Sequence, residues 1–154
     1  MSTSRVDAAG NYERQGKEFS QRVAEEAENR LVSRTMSAAR SIHLADKLAT
    51  FTEPWQPRVV GSFNGHDLMV AKLKGEFVWH QHDDTDDFFL VLSGRLILQL
   101  PDGEVELGPG ELFVVPRGVQ HRPVAKEEVQ VLLIERSGTP NTGDPATAAP
   151  RRVI

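Results

Sequence analysis

The chain has 154 residues, 39% of them apolar, and a formal net charge of −4; this is enough for one sizeable core and too little basic character for a nucleic-acid surface. It has no cysteine, so disulfides and thiolate chemistry are excluded, and any metal must be held by nitrogen and oxygen ligands. No apolar run approaches the roughly 20 residues that span a bilayer, and the polar N-terminus lacks the apolar stretch of a signal peptide, so a cytoplasmic protein without membrane contact is expected.

Residues 1–16 are short of apolar side chains and rich in Ser, Asn, Gly and scattered charge, a composition that predicts a disordered start. From Lys17 to about Ile42 good helix formers take over, with Phe19, Val23, Ala27 and Leu31, then Val32, Met36 and Ala39, drifting along one stripe. The pattern predicts an amphipathic helix over 17–42 whose apolar stripe needs a partner, either the domain behind it or a second subunit.

From Arg58 to Arg136 the texture is β throughout: short runs of Val, Ile, Leu and Phe broken by Gly, Pro and Asp. The expected strands are 58–63, 67–73, 75–82, 87–92, 95–100, 103–107, 111–115, 120–125 and 129–135. Pro101-Asp102-Gly103 and Gly108-Pro109-Gly110 supply tight reversals between them. Many short antiparallel strands predict an all-β barrel or double-sheet jelly roll over 43–136, carrying the helix as an N-terminal extension. Strands 88–92 and 112–115 are apolar on both faces, so they require cover outside the barrel, from a second sheet, the helix or a partner in a homodimer. Residues 137–154, with three prolines before Arg151 and no periodicity, read as an extended or disordered C-terminal arm.

His80 and His82 carry the chemical signal. A strand alternates its side chains, so His-x-His projects two imidazoles from one face, where they can share one metal ion. His43 and His66 have no comparable neighbours and read as ordinary surface or interface residues.

The runs around these histidines resemble the two signature motifs of the cupin superfamily. Gly75, His80, His82 and Gly94 match the first, with Asp87 where Glu is usual; Gly110, Pro116, Gly118 and His121 match the second, with Ala125 where Asn is usual. The likeness is to small single-domain cupins described as mannose-6-phosphate isomerase-like, and it runs from about Leu44 through Val153. It implies a double-stranded β-helix in which His80, His82 and His121 bind a metal, with Asp87 in the place of the fourth ligand. Such a set suits one divalent ion per chain, Fe, Mn, Ni, Co or Zn, with positions left open for a small-molecule ligand. Asp83, Asp84 and Asp86 would form an acidic loop at the barrel mouth. By alternation Val78, Phe89, Val91 and Leu98 would line the pocket, and Trp79 would pack between sheets. The resemblance leaves several functions open: a dioxygenase-like enzyme, a sugar-phosphate isomerase-like one, a non-catalytic binding or sensing module, and a structural dimer pinned by its metal.

Overall fold

Alternating apolar residues separated by tight turns build eight strands, which the computed structural model describes along with the rest of residues 21–22 and 41–154. The expected disordered start and most of the expected helix lie outside the described residues. Gln21 and Arg22 are helical, but Ser41 and Ile42 are not, and His43 has extended backbone. A separate short helix, α1 (Leu44–Leu48), follows.

The strands are β1 (Arg58–Phe63), β2 (His66–Glu76), β3 (Asp87–Ser93), β4 (Leu96–Leu100), β5 (Gly103–Leu107), β6 (Leu112–Val115), β7 (Arg122–Arg136) and β8 (Arg152–Val153). Asn64 and Gly65, both at positive φ, turn β1 into β2 in a two-residue hairpin loop. Pro101 and Asp102 do the same between β4 and β5. Strand β7 is the spine of the sheet. One edge pairs with β2 along most of its length, while the other pairs with β4 near its start and β3 near its end. β3 also carries β6, and β8 runs parallel to β1. Among the described residues, no helix is long and apolar enough to cross a membrane.

Alternation separates two apolar clusters. Met69, Ala71 and Leu73 of β2 join Phe89, Val91, Leu96, Leu98, Val129, Val131 and Leu133 in the barrel interior. Val70, on the other face of β2, packs with Val60, Leu48 and Phe51. Residues 44–51 thus supply outer cover for β1 and β2. The outer face of β6 is less covered: Leu112 and Val114 are 54% and 41% exposed.

Three of the expected strands do not form as separate strands. The run 75–82 is not a strand: β2 ends at Glu76, past an irregularity at Leu73/Gly75 and the positive φ of Gly75, and His80 makes only an isolated bridge. The expected strands 120–125 and 129–135 are one strand, β7. Its register against β2 jumps from Ala125 to Val129, and Lys126, Glu127 and Glu128 between them are exposed.

Candidate metal centre

Because 77–86 is not a continuous strand, alternation cannot place His80 and His82; backbone hydrogen bonds to the neighbouring chain do. His80 N donates to His121 O (3.1 Å) and His121 N donates back to His80 O (2.9 Å), so the two histidines face each other as a hydrogen-bonded pair. Phe77 N donates to Pro123 O and Gly118 N to His82 O (2.7 Å), fixing the segment on both sides. Asp87 opens β3 opposite Val115.

All four side chains are buried, and one ligand-type atom from each lies within 4.8 Å of the others. The rings of His80 and His121 are 4.2 Å apart between centroids. The Nδ1 atoms of these two rings lie 3.0 Å and 3.1 Å from the carbonyls of Val78 and Val119. A carbonyl only accepts, so each Nδ1 carries the hydrogen and each neutral ring keeps its Nε2 lone pair.

His121 Nε2 then meets Asp87 Oδ2 at 3.1 Å, and His82 Nε2 approaches the same oxygen at 3.5 Å. The lone pair of His121 and that carboxylate oxygen repel unless a proton or a cation lies between them. Among the described residues, His82 Nε2 and Asp87 Oδ1 are buried without any hydrogen-bond partner, a condition that costs about 1–3 kcal/mol per group. A divalent cation among the four side chains would relieve both conditions, so the donor set fits one.

The electrostatics follow from this crowding. Burial, then the charge of His121, depresses the pKa of His80 to about 4. Burial alone would raise that of Asp87, but its approach to His121 and His82, each able to carry a proton on the nitrogen that faces it, outweighs burial and holds the carboxyl at about 2. Burial also disfavours protonated His82, and there the approach of Asp87 prevails and raises the pKa.

Beside the four residues lies a cleft of about 360 Å³, counting its open mouth. His80, Asp87 and Phe89 line it, with Trp55, Phe77, Leu73 and Leu133. Of the expected wall only Phe89 is there. Val91 and Leu98 are buried in the interior cluster, and Val78 is 56% exposed, because the backbone that carries it is not a strand. Trp79 is exposed rather than packed between sheets, and the guanidinium of Arg122 lies over its ring. Asp83, Asp84 and Asp86 sit in an exposed loop, where Asp86 Oδ1 accepts from Arg117 N at 3.0 Å. His43 is exposed, and His66 bonds locally to Asn64 O.

Two cleft residues escaped the motif reading. Glu135 is buried and takes the next inward position after Val129, Val131 and Leu133; a glutamate in phase with an apolar stripe was the available signal. Burial, then the charge of Asp87, raises its pKa to about 7. Asn141 comes from the C-terminal segment, which folds back over the barrel. Arg151 anchors that segment by donating to Glu135 Oε2 (2.6 Å), Asp67 Oδ2 and Thr139 O.

Residues 68–135 match the model of a family described as "Cupin domain". The crystal structure of a cupin-2 domain containing protein from Shewanella frigidimarina superposes with a TM-score of 0.61 at 42% identity, covering 62% of this chain and 93% of that one. Uncharacterized protein YdbB of Bacillus subtilis is 34% identical over 64 residues, 41% of this chain and 57% of that protein. A 3-hydroxyanthranilate 3,4-dioxygenase of Jannaschia is 32% identical over 80 residues, 48% of this chain and 44% of that enzyme. The chain therefore spans about half the length of the curated relatives it matches.

Proposed function

The chain belongs to the cupin superfamily, and from that premise we propose that it binds one divalent metal through His80, His82, Asp87 and His121 and acts on a small organic ligand in the adjoining cleft. One observation carries the reading: four buried ligand-type groups converge within 4.8 Å, and two of their atoms have no hydrogen-bond partner among the described residues. When bound there, such an ion polarises a coordinated oxygen atom and accepts a ligand at its remaining positions. The protein's own part is to hold the rings of His80 and His121 in one tautomer through Val78 O and Val119 O, and to keep water away with Phe77 and Phe89.

The likeness to an enzyme named as a 3-hydroxyanthranilate dioxygenase supports oxygen chemistry on the ligand as the first reading. An isomerase-like reaction is the second. It needs a group that takes and returns a proton, and Glu135 is a buried carboxylate in the same cleft.

Metal analysis of the purified protein tests the centre. We expect about one divalent ion per chain, falling to background in the His80→Ala/His82→Ala double variant. Iron would favour oxygen chemistry, and undiminished metal in the double variant would place the ion elsewhere.

A further inference from the structure

We propose that Glu135 and Asn141 form a hydroxyl-binding subsite facing the Trp55–Phe77 aromatic wall, so that the ligand is a small ring compound carrying a phenolic hydroxyl. The inference deepens the preceding proposal and rests on its ligand cleft.

The cleft has two kinds of wall. Trp55 stacks on Phe77 with 4.8 Å between ring centroids and 26° between planes. Trp55 holds a φ of 60°, a left-handed conformation that is costly for a bulky residue. It is kept there by Trp55 N donating to Lys72 O (2.9 Å) and Nε1 donating to Lys74 O (2.8 Å). The indole N–H is consumed by this anchoring, so the ring offers the cleft an apolar π face and no donor. A flat ring is the ligand shape such a face stacks against.

The polar wall selects the substituent. Arg151 takes Glu135 Oε2, and among the described residues no donor takes Oε1. Arg151 also serves Asp67 and Thr139 O, so its charge is shared between two carboxylates. Asn141 spends its carbonyl oxygen on Ala149 N (2.9 Å), leaving its NH₂ group as donor. The cleft thus presents one acceptor and one donor away from the metal ligands. A hydroxyl can donate to Glu135 and accept from Asn141. In its ionised form, which prevails above about pH 7, Glu135 only accepts: a carboxylate then has no hydrogen to donate and meets the Glu135 charge, and an ether oxygen leaves Glu135 without a donor.

The test, run at about pH 8.5 so that Glu135 is ionised, uses a Trp79→Phe background, which makes Trp55 the sole tryptophan, and follows its fluorescence while phenol, anisole or benzoate is added to protein loaded with Zn(II). Phenol should bind about tenfold or more tighter than anisole, as expected for a hydrogen bond to a charged group, and benzoate no tighter than anisole. Glu135→Met removes both oxygens while Arg151 keeps Asp67, and should bring the phenol-to-anisole ratio close to one; Asn141→Ala should reduce it. Equal binding of phenol and anisole by the unsubstituted pocket, or tighter binding of benzoate, overturns the subsite. A ratio that survives in Glu135→Met also overturns it, by assigning the discrimination to the metal or its ligands. Should Glu135→Met fail to fold, the ranking of the three probes still decides. Zinc content is measured on the same samples, so a chain that takes up no metal refutes the metal centre separately from the phenol ratio.

Discussion

Asp87 has a side chain one methylene shorter than the glutamate usual at its place in the motif, yet its Oδ2 lies 3.1 Å from His121 Nε2. β3 begins at Asp87, directly across from Val115, and the short side chain is buried there. Its neighbour Asp86 turns outward to cap Arg117 N. In a chelator competition, Asp87→Asn should therefore lose about tenfold or more in metal affinity as a charged oxygen becomes a neutral amide, and Asp86→Asn should stay within about twofold. A larger effect at Asp86 would refute the assignment. These residues were legible because a motif depends on spacing along the chain. Glu135 was legible only as a glutamate in phase with an apolar stripe; its role was not, since that depends on the pairing of β3 with β7 and on Arg151, which arrives from the C-terminal segment.

At the scale of elements, strands bounded by strong turns were readable to the residue: 58–63 and 103–107 form as expected, and 87–92 and 95–100 within one residue at an end. The run 77–82 misled because Phe77, Val78 and Trp79 have strand-forming side chains, while Val78 and Trp79 both face solvent and so lack alternation. The C-terminal segment carried no local signal at all, because its anchor joins Arg151 to Asp67, 84 positions away. Gly143 shows how closely that segment is seated: it has a φ of 74°, and a Cβ there would lie 2.2 Å from Gln81 O, between the two histidines of the His-x-His pair. Gly143→Ala should cost about 2 kcal/mol or more in denaturant unfolding, from backbone strain and the collision together. Gly138→Ala bears a similar φ but meets open space, and should cost only about 1 kcal/mol. Equal losses would mean that the approach to Gln81 is not a tight one.

For the molecule as a whole, the buried charges set the acid stability of the metal-free protein. His80 titrates near 4 when folded and 6.5 when unfolded, so unfolding takes up protons and its contribution is lost as pH falls through that window. Glu135 titrates near 7 when folded and 4.5 when unfolded. Here folding takes up the proton, and stability is lost as pH rises through the window. The two effects are comparable and opposed, so stability should be nearly level between pH 4.5 and 6.5, then fall below about pH 4 as Asp87 is protonated. Replacing Glu135 with Gln should unmask the histidine: stability measured by denaturant unfolding would then climb from pH 4.5 to 6.5. A flat profile in that variant would show that His80 is not the opposing group.

The irregularity in the middle of β7 bears on how this chain can change length. Against β2, two positions (Leu73 to Gly75) are matched by four in β7 (Ala125 to Val129), so the surplus is two residues. An even surplus keeps parity: Ala125 before it and Val129, Val131, Leu133 and Glu135 after it all point inward. Insertions and deletions at Lys126–Glu128 are therefore tolerable in pairs. A single added or lost residue would turn one half of the strand inside out, sending Glu135 to solvent and Arg136 into the barrel.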